Sequence, residues 1–71
     1  MDATEMTLAR LIKTMRTAEG LTQSELAEAV YSDKDSICRW EHGANITLYK
    51  FLEIANTLGY TVDIEVEGGA E

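Results

Sequence analysis

The sequence predicts an all-α fold of four helices, followed by one short β-strand at the carboxyl end. Apolar residues recur with helical spacing in four segments, and only the last segment alternates with a period of two. The helical segments begin at residues that cap helices, and three of them end close to a glycine. A chain of 71 residues forms one domain with a thin core, so we expect dimerisation or very regular helix packing to supplement that core.

The first helix is expected to run from Glu5 to Ala18, with Thr4 as its N-cap. Gly20 follows it and suits the left-handed conformation in which many helices end. The apolar face of this helix consists of four residues at helical spacing: Leu8, Leu11, Ile12 and Met15.

The second helix has the clearest start signal in the sequence. Thr22 and Glu25 form a capping box, in which the hydroxyl and the carboxylate each accept from a backbone N–H group that the helix leaves free. Leu21 and Leu26 flank this box as a hydrophobic staple. The helix is expected to cover residues 23–31. Its buried face is Leu26, Ala27 and Val30.

The third helix is short and narrowly amphipathic. Ser32-Asp33 offers an N-cap, and the helix is expected to cover residues 34–42 before a glycine ends it. Its two apolar positions, Ile37 and Trp40, lie three residues apart, so the other positions form a polar outer face. A helix that reads the groove of a nucleic acid requires this pattern.

The fourth helix begins after Thr47, which is its expected N-cap. Ile46 and Phe51 repeat the hydrophobic staple, and Gly59 ends the helix. The expected core face is Leu48, Phe51, Leu52, Ala55 and Leu58.

The segment from Tyr60 to Glu67 is the predicted strand, because apolar residues at 62, 64 and 66 alternate with acidic ones. A single strand is not stable alone, and the chain offers no second strand. We therefore expect it to pair with the same strand of another copy across a twofold axis. This divides the chain into a helical domain, residues 1–60, and a dimerisation strand with its tail, residues 61–71.

Composition argues against several classes of protein. No apolar run is long enough to span a membrane, and no signal peptide is expected. The single cysteine, Cys38, rules out an internal disulfide and fits a reducing compartment, so a cytoplasmic location is expected by default. With one histidine, one cysteine and no glycine-rich phosphate loop, the chain is not expected to be an enzyme or to bind a metal or cofactor.

The net charge of −7 is unusual for a protein that binds nucleic acid. Residues 63–71 carry four acids and no base, whereas residues 1–20 and 46–62 are balanced. Residues 21–45 carry five acids and two bases. Because this middle segment is not basic, any non-specific affinity for nucleic acid should be weak.

Residues 21–43, LTQSELAEAVYSDKDSICRWEHG, resemble the helix-turn-helix of the Cro and phage-repressor (XRE) family. The resemblance extends over residues 8–59. It implies a lambda-repressor-like four-helix domain, and a repressor of transcription that binds double-stranded DNA at a palindromic operator as a homodimer. The matching positions are Arg16, Leu21, Thr22, Gln23, Glu25, Leu26, Ala27, Val30, Ile37, Arg39, Trp40, Glu41, Gly43, Thr47, Leu58 and Gly59.

The terminal segment TVDIEV narrows the resemblance to antitoxins of bacterial toxin–antitoxin pairs, particularly those paired with HipA-type kinase toxins. In that group the last strand pairs between subunits and stabilises the dimer. The resemblance therefore implies a protein toxin as a further partner. The acidic face formed by Asp63, Glu65 and Glu67 would contact a basic partner, or it is simply a solvated strand edge.

The resemblance assigns base-facing positions in the third helix to Lys34, Asp35, Cys38 and Arg39. Arg39 would donate to O6 and N7 of guanine, and Lys34 would do the same or hold a phosphate. Asp35 would accept from N4 of cytosine. For Asp35 we favour the alternative, a favourable interaction with the helix dipole or a capping role.

Four residues around these helices are candidates for phosphate contacts: Thr22, Gln23, His42 and Asn45. Thr22 and Gln23 open the second helix, where free N–H groups attract anions; for Thr22 the capping box is an equally good explanation. His42 and Asn45 follow the third helix, and His42 is not expected to bind a metal. The resemblance gives Arg16 and Glu41 a structural role, a partly buried ion pair between the first and third helices.

Two functions from different classes remain open. In the first, the chain is a DNA-binding repressor or antitoxin. In the alternative, it is a protein-interaction module that kept the helical fold and lost DNA binding; the net charge and the acids that flank Lys34 favour this second hypothesis. Tyr31 also stands at the turn where the family often has glycine, so a strained turn is expected.

Overall fold

The computed structural model describes residues 3–63, with side chains from residue 8 onward. Four α-helices follow in order: α1 (Ala3–Ala18), α2 (Gln23–Ala29), α3 (Lys34–Glu41) and α4 (Leu48–Thr57). The prediction of an all-helical domain with four helices is confirmed for this part of the chain. None of these helices is both long and apolar enough to cross a membrane.

The helix boundaries lie within two residues of the predicted ones. α1 begins two residues earlier than expected, and α3 ends one residue earlier. α2 ends at Ala29 instead of Tyr31, because Val30 is its C-cap and Tyr31 has a positive φ. A residue in that region cannot continue a right-handed helix.

The helices enclose one core, to which each of them contributes. α3 packs mainly on α2 and α1, and α4 packs on α1. Partly buried side chains, including Trp40 of α3 and Tyr60 and Val62 beyond α4, extend this core. Its buried residues are Ile12, Met15, Leu26, Ala27, Val30, Ile37, Phe51, Ile54 and Ala55.

Two residues predicted for the core, Leu11 and Leu48, are exposed instead. Adjacent helix residues point about 100° apart, so Leu11 falls at the edge of the apolar stripe once Ile12 faces the core. Leu48 is the first residue of α4 and lies at the edge of the stripe that Phe51 and Ile54 define. Ile54 is fully buried, although the sequence-based prediction left it out.

The turn between α2 and α3 contains the strained residue expected from the sequence. Tyr31 has a φ of 57°, and it is the one non-glycine residue with a positive φ among residues 3–63. The turn is closed by the N–H of Ser32, which donates to the carbonyl oxygen of Ala27 at 2.8 Å. The left-handed residue and this hydrogen bond together close the turn between α2 and α3.

The predicted strand, Tyr60 to Glu67, lies only partly inside the described residues. Residues 60–63 form no strand, and residues 64–67, with the expected pairing across a dimer, lie outside the described residues. Val62 packs against the core, whereas Thr61 and Asp63 are exposed. The Tyr60 hydroxyl donates to the Glu19 carboxylate at 3.2 Å, which fastens this segment to the end of α1.

Candidate nucleic-acid interface

α3 is anchored on one side and open to solvent on the other. Ile37 is fully buried, and Trp40 packs against the core. These two contacts hold the helix while its remaining side chains point away from the core. Of the side chains that the resemblance places against bases, three are exposed and Cys38 is half-buried; the exposed ones are Lys34, Asp35 and Arg39.

Asp33 caps the amino terminus of α3. Its Oδ1 accepts from the backbone N–H of Ser36 at 2.7 Å. Hydrogen bonds from the backbone and side chain of Ser36, helped by the charge of Arg39, lower the pKa of the Asp33 carboxyl below its ordinary value. Asp35 is therefore not the cap; it is an exposed acid in the first turn, where it interacts favourably with the helix dipole.

The guanidinium group of Arg39 lies along the exposed face of α3. Its Nη2 donates to Oγ of Ser36, one turn earlier, at 3.3 Å. A single exposed hydrogen bond to a neutral hydroxyl is weak. The guanidinium can therefore exchange this contact for a stronger one, such as the paired acceptors of guanine.

His42 continues this face beyond the end of α3. Its Nδ1 lies 2.7 Å from the carbonyl oxygen of Cys38 and 3.7 Å from the Cys38 Sγ. The imidazole is thus folded back along the helix, one turn beyond Cys38. His42 and Asn45, the two candidates that follow α3, are both exposed.

The capping box at the start of α2 is present as predicted. Oγ1 of Thr22 accepts from the N–H of Glu25 at 3.0 Å, and the Glu25 Oε1 accepts from the N–H of Thr22 at 2.8 Å. The first four N–H groups of a helix have no partner inside it, and this box satisfies two of them, those of Thr22 and Glu25. The N–H groups of Gln23 and Ser24 lie between these two in the chain, and they are the ones that can donate to an anion.

Arg16, Glu41 and Gln23 form a network that joins three helices. The Arg16 Nε and Nη2 donate to Oε2 and Oε1 of Glu41 at 2.6 and 3.0 Å. Arg16 Nη1 also donates to the carbonyl oxygen of Leu21 at 2.8 Å. The Gln23 Nε2 donates to the same carboxylate at 3.1 Å, so Glu41 accepts three hydrogen bonds.

The protonation state of this network follows from its burial and partners. The side chains of Arg16 and Glu41 are only 12% and 2% exposed. Burial by itself raises the pKa of Glu41, but the hydrogen bonds from Arg16 and Gln23 outweigh it and bring that pKa below its ordinary value. The hydrogen bond with Glu41 likewise raises the pKa of Arg16. Both groups therefore remain charged at neutral pH.

Gln23 has a second role that the sequence-based reasoning did not include. That reasoning assigned its amide to a phosphate, and in the structure the amide nitrogen is bound to Glu41. A side-chain amide carries two N–H groups, so one remains for an acceptor outside the protein. The contact with Glu41 fixes where this second N–H lies.

Arg10 and Lys13 of α1 lie beside this surface, and the sequence-based reasoning did not include them. Together with Ala9, Glu41 and His42 they line a shallow cleft of about 330 Å³ at the carboxyl end of α3. A signal for this placement exists in the sequence. Arg10, Lys13 and Arg16 follow one another at spacings of three, which places them on neighbouring parts of one helix surface.

Comparison with known proteins gave one family match. The model of a family described as helix-turn-helix matches residues 12–64, well over half of the chain. The matched region begins inside α1 and includes α2, α3 and α4. No curated protein sequence matches the chain.

Proposed function

The chain belongs to the helix-turn-helix family of Cro and C1-type DNA-binding regulators, and from this premise we propose that it represses transcription by binding a palindromic operator as a homodimer. The observation that carries the proposal is the position of α3. Ile37 is fully buried on one side of this helix, while Lys34 and Arg39 are exposed on it. A helix held in this way can enter a major groove and still belong to the protein core.

In this proposal the exposed residues of α3 read the bases. Arg39 donates to O6 and N7 of guanine, and Lys34 contacts a base or a phosphate near the start of the helix. Cys38 and Asp35 face the bases that lie between the contacts of Arg39 and Lys34. Phosphate contacts position α3 without reading sequence, and they come from Thr22, Gln23, His42 and Asn45.

Dimerisation is assigned to residues 61–71, and DNA binding to residues 1–60. Val62 packs against the core at the point where the terminal segment leaves the helical domain. Exposed Leu11 lies beside Val62 in the same shallow groove. A homodimer that binds a palindromic operator needs its two α3 helices about one helical turn of DNA apart.

We further propose an antitoxin role, in the cytoplasm and without enzymatic activity. The resemblance of the terminal segment to antitoxins supports this role. The surplus of acids in residues 63–71 supports a basic protein toxin as the partner, since charges of opposite sign speed association and favour the correct partner.

The decisive experiment is a fluorescence anisotropy titration of the full chain against a duplex from upstream of its own gene, at low and at moderate salt. The proposal expects saturable binding that weakens steeply as salt increases, because phosphate contacts release counterions. A scrambled duplex of the same length is the control and should bind more weakly.

The alternative function, a protein-interaction module, is favoured by one feature of α3. Asp33 and Asp35 are exposed on both sides of Lys34, so the start of the helix is more negative than a DNA backbone favours. Absence of saturable, salt-sensitive binding to the operator duplex would reject the repressor proposal and leave this module as the function.

A further inference from the structure

The chain has few cations with which to hold DNA. It contains six Lys and Arg residues, all within the described part of the chain. Two of them form ion pairs, Arg16 with Glu41 at 2.6 Å and Lys50 with Glu53 at 2.8 Å. Within the described residues the other four form no ion pair: Arg10, Lys13, Lys34 and Arg39.

Two of these four, Arg10 and Lys13, lie together on α1 beside the end of α3. They share the cleft with His42 and Glu41, and buried Ala9 also lines it. The Glu41 carboxylate already accepts three hydrogen bonds from Arg16 and Gln23 and is almost fully buried. It therefore attracts Lys13 at a distance but does not bind either cation, so the mouth of the cleft is positive.

The cleft lies at the far end of the face that reads DNA in the proposed function. His42 is one turn beyond Cys38 and touches it, so it extends that face, and Arg10 and Lys13 stand next to His42. From Lys34 to His42 the helix rises roughly 12 Å, close to the major-groove width of about 12 Å. Cations at both ends can therefore reach phosphates on both sides of the groove.

The last turn of α3 itself carries one cation, Arg39, which the proposed function assigns to a base. Phosphate binding at this end therefore needs cations from another helix. The carboxyl end of a helix carries a partial negative charge and repels anions. Asn45, the other candidate there, is neutral, and Glu41 is negative. The positive charges of Arg10 and Lys13 compensate both the partial negative charge of the helix end and the charge of Glu41.

We propose that Arg10 and Lys13 form a phosphate-binding cluster on α1 that clamps the DNA backbone beside His42, outside the helix-turn-helix itself. This inference rests on the proposed DNA-binding function. It identifies the first helix as the source of much of the salt-dependent affinity of an acidic protein. Because phosphates are the same in every sequence, the cluster strengthens binding to specific and non-specific DNA alike.

The test compares the full chain with the double variant Arg10→Gln, Lys13→Gln in anisotropy titrations at several salt concentrations. Each phosphate contact contributes about 0.9 to the slope of log affinity against log salt. The double variant should lower that slope by roughly two, and near 0.1 M salt its affinity should fall at least about tenfold. The loss should be similar for operator and scrambled duplexes.

The matched control is Asn56→Asp, Thr57→Glu, which changes the net charge by the same amount on exposed residues of α4. Its slope should equal that of the unmodified chain. An unchanged slope in the Arg10 and Lys13 variant, or equal losses in both variants, would overturn the cluster while leaving the proposed function intact. No binding by the unmodified chain would instead remove the proposed function, and the cluster with it. Both variants must keep the Trp40 fluorescence and thermal unfolding of the parent.

Discussion

Tyr31 is held in a conformation that its own side chain opposes. A φ of 57° is left-handed, and an L-residue with a Cβ atom there incurs a cost of about 1–2 kcal/mol. The residue is 92% exposed, so packing within the described residues does not offset this cost. The turn forms because α2 and α3 must both bury their apolar faces, and Tyr31 adapts to that requirement.

Replacing Tyr31 with glycine should stabilise the protein by about 0.5–1 kcal/mol, because glycine tolerates a positive φ but adds entropy to the unfolded chain. Urea unfolding followed by Trp40 fluorescence measures the effect. Tyr31→Ala is the control, since it removes the ring and keeps the Cβ atom, and its stability should hardly change. A lower unfolding midpoint for Tyr31→Gly would show that the turn is not strained.

Arg39 is expected to contribute to base reading and not to folding, because it is exposed and its hydrogen bond to Ser36 is weak. Arg39→Ala should weaken binding to the operator by about 1–3 kcal/mol and leave thermal unfolding unchanged. Titrations with operator and scrambled duplexes measure the two losses separately. If both duplexes lose the same affinity, Arg39 contacts phosphate and not guanine.

At the scale of elements, the buried carboxylate of Glu41 fixes α3 relative to α1 and α2. Arg16 reaches it from α1, and Gln23 reaches it from α2. These hydrogen bonds join helices that otherwise meet through apolar side chains. Apolar contacts are not directional, whereas hydrogen bonds are. The network therefore sets the orientation of the helix that is proposed to enter the groove.

Glu41→Gln should destabilise the protein by about 2–4 kcal/mol, because it leaves the Arg16 charge nearly buried without a counter-charge. Glu53→Gln is the matched control. The side chains of Lys50 and Glu53 are 24% and 30% exposed, so their ion pair should contribute less than about 1 kcal/mol to stability. Chemical unfolding of the two variants measures the difference; equal losses would contradict a special role for the network.

Acid should weaken the same network. The folded-state pKa of Glu41 lies below its ordinary value, so its contribution to stability is fully present above that ordinary value. The contribution is lost as the pH falls from there through the folded-state pKa. Unfolding midpoints measured from pH 6 to pH 3 should fall more steeply for the parent than for Glu41→Gln. Parallel curves would assign the acid sensitivity to other carboxylates, such as Asp33.

For the whole molecule, size and charge both bear on association. A core of this size gives a small domain limited stability, and a net charge of −7 opposes the approach of a second copy. Association therefore needs a surface where apolar burial exceeds repulsion. We place this association surface at the groove that Leu11 and Val62 line, where the terminal segment leaves the helical domain.

Deleting residues 61–71 should shift the protein from dimer to monomer, because it removes the segment proposed to pair between copies. Sedimentation velocity at several concentrations measures this shift. Deleting only residues 68–71 is the control and should leave the profile unchanged. An unaltered profile after the longer deletion would refute the role of the terminal segment.

The sequence by itself determined the four helices and the caps of three of them, whereas Thr4, the expected cap of α1, lies inside that helix. Thr22, Asp33 and Thr47 each cap the helix that follows them, because a cap requires only the side chain and the N–H group three residues later. The left-handed φ of 74° at Gly20 is equally local. The family also followed from the sequence, since its signature combines such local signals at fixed spacing.

Only the tertiary structure decided which long-range neighbours these residues have. Gln23 donates to Glu41, and Arg10 and Lys13 stand beside His42, because of the way α1 and α2 lie across the end of α3. Leu11 is exposed for a similar reason, because the packing of the neighbouring helices decides which edge of the apolar stripe on α1 is buried. Local pattern cannot fix such contacts, since helix packing depends on every side chain at the interface at once.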